Sequence, residues 1–178
     1  DPTTGGTGTS EPSIVDVHTF DFTIYKYYLK DQNNKEDKTA LAKAEFELYK
    51  ANEAGDAADT NAKINIVKVK EGEYRQATPE EAVAEVFKSD VIVSGTDGKV
   101  LVKGLDAGTY YLRETKAPDG YNKLLSDIKV EIKATYGEDG KLVSYKVDYT
   151  YNGTTTPGVA ITEKNNSPEV PVENKTGA

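Results

Sequence analysis

Cysteine and methionine are both absent from this 178-residue chain, and histidine occurs once, at His18. Without cysteine there is no disulfide, no thiolate zinc site and no cysteine nucleophile. Secreted domains of this size often carry disulfides, and doing without both sulfur residues suits a bacterial surface protein that meets oxidants. His18 flanks a strand pattern with no second histidine, which argues against a histidine-based metal or catalytic centre. No apolar run approaches a membrane span, and no signal peptide is visible. The chain therefore reads as cytosolic or as a piece of something larger. Basic charge is in short supply too. Lys and Arg number 22 against 30 Asp and Glu, for a net charge of −8 and a pI near 4.8, which disfavours a nucleic-acid role.

What is present is a soluble globular composition, 37% hydrophobic and 29% charged, with aromatics that are mostly tyrosine. Residues 1–13, rich in Gly, Thr, Ser and Pro, read as a flexible interdomain linker. Residues 14–178 read as one domain. Within it, apolar alternation predicts strands over 14–29, 44–49, 64–70, 109–114, 127–135, 142–151, 159–163 and 170–174. Thr96-Asp97-Gly98 predicts a hairpin between strands at 91–94 and 99–103, and 137–140 predicts another. One helix signal interrupts the β pattern. Thr78 suits the N-cap, Pro79 the first turn and Glu81 a capping box. Continued to Phe87, this helix presents Val83, Val86 and Phe87 to the core. Many short strands, regular turns and one short inserted helix predict an all-β sandwich.

Three polar residues stand where apolar ones are due. In Phe20-Asp21-Phe22-Thr23-Ile24-Tyr25-Lys26, Lys26 follows Phe20, Phe22 and Ile24 on one face. Glu114 follows Tyr110 and Leu112, and Asn174 follows Val170 and Val172. Side chains alternate with period two in a strand, so all three point inward, where each alone is costly. Taken singly, the ordinary readings are a lysine reaching along a sheet edge, a strand-end acid beside Arg113 and Lys116, and a turn residue at a chain end. Asn165, in phase with Val159 and Ile161, is an alternative to Asn174; Asn166 is out of phase. Lys30 is an alternative to Lys26 but lies beyond the apolar run.

Four segments, in order, resemble the CnaB-type (inverse-Ig-like) domains of Gram-positive surface proteins, especially the C-terminal domain of sortase-assembled backbone pilins. They are Thr23-Ile24-Tyr25-Lys26, the segment Leu41–Tyr49, the long run Gly104–Tyr121 that corresponds to the E-box region, and Val172-Glu173-Asn174-Lys175. The resemblance implies a Greek-key Ig-like β-sandwich and an intramolecular isopeptide bond between Lys26 and Asn174, assisted by Glu114. It implies no cofactor, and as partners sortase and neighbouring pilin subunits in a cell-wall-anchored surface structure. A host surface ligand is a further partner if the domain is adhesive. Burial disfavours charged forms, so a buried lysine is available as a neutral nucleophile. On this reading a protonated Glu114 hydrogen-bonds the Asn174 carbonyl, polarises it and shuttles protons as ammonia leaves. The reaction happens once per molecule, so the chain is not an enzyme. Two departures stand out. Lys43 occupies a position where the family usually has Gly, which suggests a looser backbone approach there. The Leu-Pro-x-Thr-Gly sorting pentapeptide is not in this sequence.

Other patterns read as ordinary surface. Asp31-x-Asn33-x-Lys35-x-Asp37 is superficially like a calcium loop, but Lys stands at the third ligand position and Gly is missing from the sixth. The Glu80, Glu81 and Glu85 cluster reads as a solvated helix face. Segments 51–63 and 71–90 are the places where an adhesive binding site would lie. No nucleophile–His–acid set or metal cluster is seen, which places a hydrolase last.

Overall fold

The computed structural model describes residues 18–163 and 166–177. The predicted linker at 1–13, the start of the first predicted strand and the alternative Asn165 lie outside those residues. In chain order the elements are β1 (Phe20–Leu29), β2 (Lys38–Ala40), β3 (Glu45–Ala51), β4 (Ala58–Lys63), β5 (Ile66–Lys70), β6 (Glu73–Gln76), α1 (Pro79–Ala82), β7 (Ile92–Val93), β8 (Lys99–Leu105), β9 (Gly108–Lys116), β10 (Tyr121–Asn122), β11 (Ile128–Tyr136), β12 (Leu142–Tyr151), β13 (Thr154–Thr156), β14 (Glu169–Glu173) and β15 (Lys175–Thr176).

Two sheets form from these strands. One runs β14-β1-β8-β6-β5, with β2 beside β1, and the other runs β13-β12-β11-β9-β3-β4, with β7 beside β3. Their inner faces meet in one core, with Phe22, Ile24, Val100, Val102 and Val170 from the first packing on Phe46, Leu48, Leu112, Val130 and Ile132 from the second. This is the predicted all-β sandwich. Branched and aromatic side chains favour the pleated backbone, and alternation puts every second one in the core: in β1, Phe20, Phe22, Ile24 and Lys26 are buried while the residues between them are half-exposed.

The strand β14 lies beside β1 and parallel to it, with Lys26 level with Val172. The first strand and β14, the last strand of the two main sheets, are therefore neighbours that run the same way. A small second pairing follows: β10 joins β15 antiparallel, Tyr121 opposite Thr176 and Asn122 opposite Lys175, and ties the chain's end across the mouth of the sandwich.

Four local expectations are corrected. The helix stops at Ala82, with Val83 and Val86 83% and 90% exposed. Its capping box forms as read, but a helix this short depends on tertiary packing, and its valines have no core to enter. Strands 91–94 and 99–103 are not a hairpin. The turn at 95–98 does form, with Gly98 donating to the Gly95 carbonyl. It crosses between sheets, however, because β7 pairs with β3 and β8 with β1 and β6. The predicted strand at 159–163 is reduced to one bridge between Ile161 and Tyr145, with Val159 79% exposed. Segments 51–63 and 71–90 are not wholly loop: β4 at 58–63 and β6 at 73–76 each join one of the two sheets there.

Candidate functional site

The three inward polar residues converge between the sheets at the end where β1 and β14 finish. Lys26 is fully buried, Glu114 is 4% exposed and Asn174 1%. Lys26 is fixed by its own backbone: its N–H donates to the Gly98 carbonyl at 2.7 Å, and its carbonyl accepts from Leu41 N–H at 2.9 Å. Gly98 has φ of +75°, and a Cβ there would stand 2.4 Å from the Lys26 carbonyl oxygen. Glycine is thus demanded twice, by the left-handed backbone and by the close approach. Glu114 faces Lys26 from β9 in the opposite sheet, level with Phe46 of β3 beside a register shift. Asn174 follows β14, and its N–H donates to the Tyr27 carbonyl at 2.9 Å, which extends the β1–β14 ladder and keeps Asn174 in phase with Val170 and Val172.

Glu114 bridges the other two. Its Oε2 lies 3.1 Å from Lys26 Nζ, and its Oε1 accepts from Asn174 Nδ2 at 2.9 Å. The 3.1 Å approach is an ion-pair contact without hydrogen-bond angles. Among the described residues Lys26 Nζ, Glu114 Oε2 and Asn174 Oδ1 have no hydrogen-bond partner. The Phe46 ring closes one side, 5.8 Å from Lys26 Nζ. Burial pulls the Lys26 pKa down to about 8, against the opposing pull of Glu114 and, more weakly, Glu173. A buried, incompletely satisfied polar cluster is destabilising by itself.

One detail differs from expectation. The amide presents its nitrogen, not its carbonyl, to Glu114, because Asn174 Nδ2 also donates to the Asn122 carbonyl at 3.0 Å. Two carbonyl oxygens would repel there. Leu124 N–H donates to Glu114 Oε1 at 2.9 Å. Both groups belong to the strap that follows the E-box turn. Sequence reasoning missed them because they are backbone atoms, which carry no side-chain signal; the turn sequence Pro118-Asp119-Gly120, a strong turn signal, is the only pointer to them. Beside the strap lies an open groove of about 440 Å³, lined by Tyr27, Leu124, Tyr149, Tyr151, Pro171 and Glu173 among others.

The alternatives are placed elsewhere. Lys30 and Asn166 are exposed. Asp31 Oδ1 accepts from Asn33 N–H in an exposed turn, and among the described residues no acidic or histidine cluster could hold a metal ion. Glu81 is more than a solvated helix residue: Arg75 clasps it through two bonds of 2.7 and 2.8 Å, which holds its pKa down to about 2.

The fold is thus a two-sheet β-sandwich in which β1 and β14 lie side by side and a Lys–Glu–Asn cluster is buried between the sheets. The chain belongs to the SpaA prealbumin-like fold domain family, whose profile matches residues 26–146, in agreement with the CnaB-type pilin resemblance of the E-box segment. Similar solved structures include the pilus 2b backbone protein of group B streptococcus, at 24% identity and a TM-score of 0.47 over 89% of this chain and 41% of that one. The minor pilin GBS52 of Streptococcus agalactiae gives 18% and 0.47 over 90% and 45%. The shaft pilin SpaA of Lactobacillus rhamnosus GG gives 18% and 0.47 over 90% and 47%. The chain thus spans less than half the length of each of these proteins. No curated protein sequence matches it significantly. Among the described residues no helix is long and apolar enough to cross a membrane.

Proposed function

We propose that this domain, residues 14–178 behind a linker at 1–13, is a structural stalk domain of a Gram-positive pilus or surface adhesin. In this reading it is exported, attached to the cell wall by sortase and stabilised by an autocatalytic isopeptide bond between Lys26 and Asn174. The observation that carries the reading is the contact of three buried side chains from β1, β9 and the end of β14, with Glu114 touching both others. Family membership supports it.

The chemistry follows from the contacts. Lys26 passes a proton to Glu114 across the 3.1 Å contact and is left as an amine. A pKa near 8 leaves roughly a tenth of it neutral at pH 7, against about one part in three thousand for an exposed lysine. Nζ attacks Asn174 Cγ, the new Nζ–Cγ bond forms, and the Cγ–Nδ2 bond breaks. Glu114 returns this proton to Nδ2, which departs as ammonia, and then takes the second Nζ proton, so that Nζ ends as an amide N–H and Glu114 ends neutral. The fold holds both reactants in place, so the step is effectively unimolecular, and each chain reacts once.

Intact mass followed by peptide mapping tests the reading. Loss of one ammonia, with Lys26 and Asn174 in one cross-linked peptide, is expected. A mass equal to that of the sequence would overturn the bond, and a loss mapped to Asn165 would move it. The second reading, an adhesive module for a host protein or glycan, is favoured by the tyrosine-lined groove. That groove lies away from segments 51–63 and 71–90.

A further inference from the structure

The strap after the E-box turn offers two backbone groups to the cluster from one side. The Asn122 carbonyl takes a hydrogen from Asn174 Nδ2, and the Leu124 N–H gives one to Glu114 Oε1. The strap is itself held to the chain's last residues: β10 pairs with β15, Gly177 N–H donates to the Gly120 carbonyl at 2.8 Å, and Asn122 Nδ2 donates to the Thr176 carbonyl at 3.3 Å. The pairing that closes the mouth of the sandwich therefore also aligns the reacting groups.

On the proposed bond-forming reading, we infer that the backbone of residues 122–124 is the positioning element of the reaction and sets its leaving group. The Asn122 carbonyl rejects an oxygen and accepts an N–H, so it orients the Asn174 amide with its nitrogen toward Glu114. The Leu124 N–H fixes the Glu114 oxygen that faces this nitrogen. Glu114 is thereby aimed at the departing nitrogen and not at the carbonyl, and Asn174 Oδ1 has no donor among the described residues. The atoms balance without another reactant: the Nζ–Cγ bond replaces the Cγ–Nδ2 bond, and two protons leave Nζ, one travelling through Glu114 to depart with ammonia and the other remaining on Glu114. Selection for an amide follows as well. An aspartate at 174 places an oxygen where Nδ2 now meets the Asn122 carbonyl, and when ionised it is repelled there.

The test uses full-length chain assembled in denaturant and diluted to fold, with tyrosine fluorescence reporting folding and intact mass reporting ammonia loss. Replacing the amide that carries the Leu124 N–H by an ester deletes that single donor. The same replacement at Gly177 deletes a strap bond of similar strength outside the cluster and serves as the control. At least tenfold slower ammonia loss is expected for the Leu124 ester, with folding rate unchanged and the Gly177 ester within about threefold of the unmodified chain. Asn174→Asp, which must lose water, is expected to react at least tenfold more slowly at pH 7 and to gain rate as pH falls. A Leu124 ester that reacts at the unmodified rate, or two esters slowed equally, would overturn the positioning role. An Asn174→Asp chain as fast as the parent would overturn the selection of an amide. If the unmodified chain never loses ammonia, the bond reading itself falls, and the strap's role with it; that outcome is read from the parent chain alone.

Discussion

Lys26 carries the largest local conflict in the molecule, a cationic side chain with no exposure. Its folded pKa of about 8 lies below its ordinary value of 10.5, so the unlinked folded state binds fewer protons than the unfolded one. The cost of burying it is complete below pH 8 and fades as pH rises towards 10.5. Asn174→Ala keeps the free amine, whereas a linked chain has none to titrate. The gap in melting temperature between parent and Asn174→Ala is therefore expected to narrow from pH 8 to 10, as scanning calorimetry would read. A constant gap would mean that Lys26 does not carry the effect. Lys43 makes a different point at the same scale. Its exposed side chain sits on a backbone of φ +70°, so the family's usual glycine answers a left-handed turn and not a close approach. Lys43→Gly is expected to be neutral or to stabilise by up to about 1 kcal/mol in urea unfolding. The inward phase of Lys26, Glu114 and Asn174 was legible because each ends an alternating run. The direction of the Asn174 amide was not, since it depends on a carbonyl fifty-two residues away.

At the level of elements, legibility followed side-chain alternation. The strands β1, β3, β9, β11 and β14 bury apolar residues of one face, β12 turns Tyr145, Val147, Tyr149 and Tyr151 to the core, of which only Val147 is fully buried, and all six were read from alternation. The strand β4, Ala-Asp-Thr-Asn-Ala-Lys, buries nothing fully and is a strand only because β3 offers it a backbone edge; β6 likewise follows from pairing with β5 and β8. The hairpin at 95–98 misled because a turn signal fixes a reversal of direction and not the sheet that the next strand joins. Edge protection is visible in β14. Asn174 N–H and the Pro168 carbonyl bond to β1, so by alternation Pro171 faces the open side, where its missing N–H blocks strand addition. Pro171→Thr is expected to promote concentration-dependent self-association in sedimentation velocity without loss of fold; an unchanged monomer would show that the edge is guarded by other means. In the 77–90 segment, Glu81→Ala removes both the capping box and the Arg75 clasp. Hydrogen exchange of the 78–84 amides is expected to quicken while the melting temperature of the domain stays put. Slowed or unchanged exchange would refute that role.

For the molecule as a whole, the proposed bond closes a loop of roughly 150 residues, which on a chain-entropy basis stabilises the fold by about 5 kcal/mol. Lys26→Ala and Glu114→Ala are each expected to fold, retain full mass, melt at lower temperature and yield to protease; two variants as resistant as the parent would count against the bond. The parallel pairing of β1 with β14 has a mechanical meaning as well. With the proposed bond in place, tension applied through the two ends of the chain would enter β1 at Phe20, reach Lys26 after roughly 20 Å of extended strand, cross to Asn174 and leave through β15. Everything from Tyr27 to Glu173 hangs outside that route as a closed loop. The core then serves to guard and align a short covalent tether, and a stalk of such domains would lengthen under force only by straightening its linkers.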